Sequence, residues 1–248
     1  MFAITAFRAF RQGLALSLLL LVSGAHAQDT PYTNMLNGRQ FSNVYAANAD
    51  FLMSQAIQNS NFQIRMLSMQ QAQREAAAGR SASMPERVTT PPRRGWQYEL
   101  STTDFSARGD RERVPAEMAD AAGLRGAARE QWIDAALTLQ QAVEAMPDFR
   151  RNNLAYAMTL ALGVAIQVRY GGEMGDAAEE ALLRSVNDAL GEADGWRDAS
   201  STELTRAYDT LVITGGLMAG LAEQNDPAMR GMARDMADST LRAFGLTP

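Results

Sequence analysis

The chain has 248 residues, with 23 basic and 28 acidic side chains and a formal net charge of −5. Every basic residue is arginine, cysteine is absent, and the single histidine is His26. Residues 28–248 therefore cannot form a Ser-His-Asp or Cys-His catalytic site, a P-loop lysine or a Cys/His zinc site. We expect no catalytic, cofactor-binding or metal-binding residues, and a protein that is not an enzyme.

A signal peptide is predicted over residues 1–27. Arg8 and Arg11 supply its positive start, residues 14–22 are almost entirely apolar, and Ala27 closes a small-residue cleavage site. The apolar run is about half of the roughly 20 residues that a membrane span needs. We therefore expect cleavage near Ala27, a periplasmic or secreted location, and no transmembrane span in the mature chain.

Charge is divided unevenly over the remaining sequence. Residues 28–95 carry seven arginines and four acids, a net charge of +3, whereas residues 96–248 carry 14 arginines and 24 acids, a net charge of −10. Nucleic-acid recognition starts from a basic face, so we expect no nucleic-acid partner. Without cysteines, stability must come from burial of a core rather than from disulfides.

An N-terminal arm, residues 28–78, is predicted to contain a long amphipathic helix. Residues 43–78 hold neither proline nor glycine, and apolar residues such as Leu52, Met66 and Met69 recur at helical spacing. Such a helix has two possible uses: it pairs with another chain in a helix-mediated oligomer, or it packs on its own domain. The sequence leaves both open.

Residues 79–95 are predicted to be a flexible linker to a helical domain at 96–248. Pro85, Pro91 and Pro92 interrupt this segment, which shows no apolar period. The domain begins with a loosely alternating stretch, 96–105, for which we expect an extended lead-in.

The rest of the domain is interpreted as an all-α bundle of about five or six helices, because alternating strand patterns are nearly absent. The apolar stripes and breakers predict helices over about 115–122, 132–146, 153–170, 176–189, 201–221 and 227–244. The third of these is apolar on nearly all faces, which indicates a buried central helix.

Several helix ends carry recognisable local signals. Ser200 and Glu203 match a capping box, and Asp226 precedes a first-turn proline. Asp176 is expected to cap a helix, and Gly171 with Gly172 is expected to end the preceding one.

Carboxylates alone could still support glycoside hydrolysis or calcium binding. Asp194, Asp198 and Glu203 lie close together, but Trp196 and Ser200 interrupt the alternating oxygen ligands of a calcium loop. We interpret these acids as caps and solvated surface. No pair of acids with catalytic separation can be identified from the sequence.

Glycines interrupt an otherwise strong helix at Gly215, Gly216 and Gly220. Each costs up to about 1 kcal/mol relative to alanine in a helix, so a compensating gain is expected. Close packing against the central helix near Gly163 is one explanation. A cavity lined by small residues, with Tyr208 supplying a polar tip, is the other.

Several short motifs follow one another along the domain: Thr103-Asp104-Phe105, Arg113-Val114-Pro115, Asn152-Asn153-Leu154-Ala155, Val168-Arg169-Tyr170-Gly171-Gly172 and a C-terminal Phe-Gly-Leu-Thr-Pro. With these motifs, residues 103–248 resemble an uncharacterised family of exported bacterial all-helical proteins. The resemblance implies an exported helical domain and carries no catalytic residues. Asn153 stands where aspartate is usual, which argues against an essential acid at that position.

These observations favour an exported, non-catalytic protein that binds an envelope protein or ligand. One alternative is a structural or assembly partner acting through the helix at 43–78. The other is a carboxylate-based cell-wall glycosidase, which would need a cleft with two facing acids.

Overall fold

A computed structural model describes residues 96–172, 174–193 and 195–246. Their α-helices are α1 (Arg113–Ala121), α2 (Gly126–Glu144), α3 (Leu154–Tyr170), α4 (Asp176–Glu192), α5 (Ser201–Ala222) and α6 (Pro227–Ala243). The described residues contain no β-strand, so the all-α prediction is confirmed. The predicted signal peptide, arm helix and linker, together with Asp194, lie outside the described residues.

Two central helices, α3 and α5, organise the core. Helix α3 packs against α4, α5 and α6, whereas α5 also contacts α1 and α2. The nearly all-round apolar surface of α3 explains this position, since Leu162 and Ile166 are completely buried. Burial of such a side chain contributes about 1.5–3 kcal/mol relative to exposure. The central place predicted for residues 153–170 is therefore confirmed.

The capping signals at the starts of α5 and α6 act as predicted. The Ser200 hydroxyl accepts a hydrogen bond from the Glu203 amide at 3.3 Å, and the Glu203 carboxylate accepts one from the Ser200 amide at 2.8 Å. Asp226 accepts a hydrogen bond from the Ala228 amide at 2.8 Å. The prediction for Asp176 is wrong: Gly175 is the N-cap of α4, and Asp176 is its first helical residue.

The lead-in at 96–105 is not extended throughout, because Leu100–Thr103 form a 3-10 helix. Its start is held by the Asp188 carboxylate, which accepts hydrogen bonds from the Gln97 and Tyr98 amides at 3.2 and 3.3 Å. Tyr98 also packs directly on Gly191 of α4. Because these contacts join residues far apart in the chain, the local sequence pattern did not indicate them, and it predicted an extended conformation instead.

Candidate functional site

A pocket of about 480 Å³ opens where the C-terminal ends of α3 and α5 meet α6. Its apolar lining comes from Val164, Val168, Ala219 and Ala222. Its polar lining comes from Gln167, Glu223, Arg230 and Arg234, and the backbone at 171–172 completes it. A volume of a few hundred to about 1,000 Å³ is typical of small-molecule sites. The pocket is therefore large enough for an organic ligand.

Local sequence explains how these groups converge. Helix α3 stops at Gly171 and Gly172, whose φ angles of 74° and 82° lie in the left-handed region that glycine adopts readily. Helix α6 begins immediately after the Asp226 cap, and Arg230 and Arg234 follow at one-turn spacing. Residues four apart lie on the same face of a helix, so both arginines reach the pocket.

The two pocket arginines are exposed, and their side chains make no ion pair or hydrogen bond with another described residue. A neighbouring contact between the same helices differs, since Arg169 of α3 pairs with Asp238 of α6 at 2.8 Å. Guanidinium groups bind carboxylate and phosphate groups through paired hydrogen bonds. The pocket thus presents two cationic donors above an apolar floor.

Gly215 and Gly216, two of the glycines that the sequence analysis singled out, lie where α5 closely approaches its neighbouring helices. A Cβ added at Gly215 would lie 3.0 Å from Leu160 Cγ and 3.3 Å from the Ala161 Cα atom of α3. At Gly216 it would meet Leu139 of α2 at 2.9 Å. The absence of side chains at these positions lets α5 approach two neighbouring helices closely.

The other residues that the sequence analysis proposed for a pocket or close packing, Gly163, Gly220 and Tyr208, do not form one site with Gly215 and Gly216. Gly163 faces Leu182 of α4, 3.8 Å from its ideal Cβ position, rather than the glycines of α5. Gly220 is buried within α5, and its carbonyl oxygen accepts a hydrogen bond from the Gln224 side chain at 3.3 Å. Tyr208 is buried nearer the start of α5. None of the five selected residues lines the pocket described above.

Tyr208 instead belongs to a buried polar network that sequence reasoning missed. The Glu144 carboxylate at the end of α2 accepts hydrogen bonds from Arg111 at 2.5 Å, Tyr208 at 3.3 Å and Gln140 at 3.5 Å. Gln140 also donates to Asp209 of α5. The side-chain amide of Gln140 therefore bridges two acids. We call these five residues the acid network.

Burial raises the pKa of Asp209 to about 7, with Glu144 adding repulsion and the Gln140 hydrogen bond and Arg111 opposing the rise. Burial and the neighbouring Glu144 also raise the pKa of Tyr208. A carboxyl group that holds its proton near neutral pH has the property of a general acid. Asp209 is nevertheless only 2% exposed and Glu144 only 5%, so substrate cannot reach them in this structure.

The motif residues near the domain's start have a structural role. Asn153 caps α3 by accepting a hydrogen bond from the Tyr156 amide at 3.0 Å. Its amide nitrogen donates to the Leu100 carbonyl and to Asp104, both at 2.8 Å. An aspartate could not donate these bonds when ionised. Asparagine at 153 therefore joins the lead-in to α3, which accounts for a motif position without assigning it chemistry.

The described part of the chain meets neither the requirement of a metal site nor that of a membrane-spanning helix. No group of three or more acidic side chains is placed to hold a metal ion there. None of the six described helices combines the length and apolarity that a membrane crossing requires.

Sequence reasoning missed the pocket arginines as well as the two network acids. The only signal for Arg230 and Arg234 was their spacing of four residues, which is equally typical of a solvated helix face. Glu144 and Asp209 lie 65 positions apart, and no local pattern joins them.

The fold and the pocket define an all-α domain with a ligand-sized cavity at one end of its two central helices. The chain belongs to a family of unknown function, DUF6683, whose model matches residues 10–248. The resemblance to an uncharacterised family is thus confirmed, and the match extends beyond the 103–248 region that carried it. No curated protein and no solved structure matches the chain.

Proposed function

We propose that this is an exported, non-catalytic protein that binds a small ligand in the pocket between α3, α5 and α6. One observation carries the proposal: in the part of the chain that the structure describes, this pocket and the neighbouring acids Glu144 and Asp209 lie at different places. The described lining of the pocket includes a single carboxylate, Glu223, whereas Glu144 and Asp209 are buried elsewhere.

Hydrolysis of a glycoside by the usual route needs two carboxyl groups on opposite sides of the scissile bond. The described residues that line the pocket do not supply such a pair. Histidine, cysteine and lysine are also missing from residues 28–248, which removes the common alternatives for acid-base or nucleophilic work. Ligand binding needs only the apolar and guanidinium contacts that the pocket offers.

Native mass spectrometry tests the binding role even while the ligand is unidentified. The protein is purified from its own host under non-denaturing conditions, beside variants Ala222→Trp and Ala142→Trp. Ala222 lines the pocket, whereas Ala142 is an exposed residue of α2 away from it. We expect an added mass on the wild type and on Ala142→Trp, and its loss from Ala222→Trp. Bare protein in all three samples would count against the proposal.

Turnover assays test the non-catalytic part. Purified residues 28–248 should release no product from peptidoglycan, esters, peptides or phosphoesters. Reproducible hydrolysis that disappears in Glu144→Gln or Asp209→Asn would establish the acid network as catalytic and overturn this part.

Export is supported by the sequence of residues 1–27. A fusion of this segment to a reporter enzyme should deliver the reporter outside the cytoplasm. N-terminal sequencing of the mature protein should begin at Gln28, and retention of the fusion in the cytoplasm would contradict export.

A further inference from the structure

We propose that the pocket between α3, α5 and α6 selects a small organic carboxylate with an apolar body. This inference rests on the proposed function, because it names the chemical class of ligand that the same pocket takes. It follows from the charge, the size and the polarity of the lining.

The charge of the pocket favours an anion. Among the described residues of the lining, Arg230 and Arg234 outnumber the acid, Glu223, so the cationic side chains favour a negatively charged ligand. One helical turn separates the two arginines, a rise of about 6 Å along α6. Two guanidinium groups at this spacing can direct several N–H donors at one carboxylate.

The size and floor of the pocket exclude a bare inorganic ion as the best ligand. A site for a single water needs roughly 10–15 Å³, far below the 480 Å³ available here. Val164 and Ala219 are almost completely buried and form part of an apolar floor. A ligand with a hydrocarbon body would remove that apolar surface from water, whereas an inorganic ion would leave it hydrated.

The surroundings also orient the ligand. The C-terminal end of α3 carries partial negative charge from its last carbonyl groups, and this end forms the side of the pocket at Gly171 and Gly172. A carboxylate is repelled there and by Glu223. It therefore lies toward α6, with the apolar body directed to Val164, Val168 and Ala219.

Methyl NMR of residues 28–248 tests this assignment with three probes: hexanoate, hexylammonium and inorganic phosphate. We expect hexanoate to shift the methyl resonances of Val164, Val168, Ala219 and Ala222. Hexylammonium has the wrong charge and phosphate lacks the hydrocarbon, so each should bind at least about tenfold more weakly.

Charge-matched variants locate the contact. Arg230→Gln and Arg234→Gln should each raise the Kd for hexanoate about tenfold, as expected for loss of a charge-assisted hydrogen bond. Arg242→Gln is the control, because Arg242 is an exposed residue of α6 outside the pocket. It should leave the Kd unchanged, and circular dichroism should show that all three variants are folded.

The outcomes separate this inference from the proposed function. Tighter binding of hexylammonium, or phosphate binding as tight as hexanoate, overturns the carboxylate assignment but leaves a ligand pocket. Absence of pocket shifts with all three probes also overturns the assignment, while an added mass in native mass spectrometry would still support the proposed function. Equal weakening by Arg242→Gln would show that general charge, not the pocket, controls hexanoate binding.

Discussion

The two ends of α5 differ: buried titratable side chains lie toward its start, whereas a solvent-accessible pocket lies at its end. Near its start, Asp209 and Tyr208 join the acid network and are almost completely buried. Near its end, Ala219 and Ala222 line an open pocket whose described lining includes one acid, Glu223. Ten residues separate Asp209 from Ala219, a rise of about 15 Å along the helix. The group with the strongly shifted pKa, Asp209, therefore lies away from the pocket proposed to bind a ligand.

The acid network has a structural explanation. It connects α2 to α5 and holds Arg111, which lies in the segment before α1. Hydrogen-bonded polar networks of this kind rigidify a core and fix which groups pair. The network thus links α5 to α2, whereas the far end of α5 lines the pocket.

The pH dependence of stability gives the largest expected effect. Below about pH 4 both the folded and the unfolded chain keep the Asp209 proton; from pH 4 to 7 only the folded chain keeps it. Stability from this group therefore falls as the pH rises through that window. The rise from an ordinary pKa of 3.8 to about 7 corresponds to a loss of about 4 kcal/mol.

Denaturant unfolding of the wild type and Asp209→Asn between pH 4 and 8 measures that loss. The wild type should lose stability relative to Asp209→Asn as the pH rises, because the amide does not titrate. Parallel profiles would mean that Asp209 ionises as freely in the folded protein as in the unfolded chain, which would remove the contrast between the ends of α5.

Removing the counter-charge of the network should give the next largest effect. Arg111→Met leaves Glu144 buried without its cation, and breaking a fully buried pair costs about 3–5 kcal/mol. The Arg111 side chain is 51% exposed, so we expect about 2 kcal/mol after discounting for solvent screening. Denaturant melts at pH 8 measure this change.

Arg113→Met is the matched control for Arg111→Met. Arg113 makes an exposed pair with Glu117 one helical turn away, at 3.1 Å. Its loss should cost no more than about 0.5 kcal/mol. Equal losses of unfolding free energy in the two variants would show that the Arg111–Glu144 pair stabilises the fold no more than an exposed ion pair does.

The glycines between the two ends of α5 should give smaller effects of different size. Gly215→Ala forces a Cβ against the α3 backbone at Ala161, and we expect a loss of about 1–2 kcal/mol. Gly216→Ala meets the end of the flexible Leu139 side chain, which can move, so the loss should be below about 1 kcal/mol.

Gly231→Ala is the control for these glycine variants and has the opposite sign. Nothing lies within 4 Å of its ideal Cβ position, so the higher helix propensity of alanine should stabilise α6 by about 0.5–1 kcal/mol. Thermal or denaturant melts distinguish the three variants. Stabilisation by Gly215→Ala would contradict the close approach of α5 to α3.

Local signals in the sequence predicted the helices well, because caps and breakers act over a few residues. The Ser200–Glu203 box and the Asp226 cap form as expected, and Gly171 ends α3. Predictions failed where distant contacts decide the outcome. The lead-in contains a 3-10 helix at Leu100–Thr103 and donates amide hydrogen bonds to the distant Asp188, and Gly163 lies against Leu182 instead of α5.

The candidate site was beyond the sequence for the same reason. Arg230 and Arg234 resemble a solvated helix face until α3 and α5 are placed beside them. Glu144 lies in a helix end that suggests exposure, yet it is buried because Arg111 and Tyr208 reach it from distant positions. Local patterns determine helices, whereas sites depend on how those helices cross.

The most direct test of the separation compares hexanoate binding by Asp209→Asn and Arg234→Gln, using the pocket methyl resonances as the readout. If the pocket and the acid network act separately, the Kd for hexanoate should be unchanged in Asp209→Asn and about tenfold higher in Arg234→Gln. Loss of the hexanoate-induced shifts in Asp209→Asn, with Arg234→Gln unaffected, would show that the acid network rather than the pocket arginines controls hexanoate binding, and would contradict the separation.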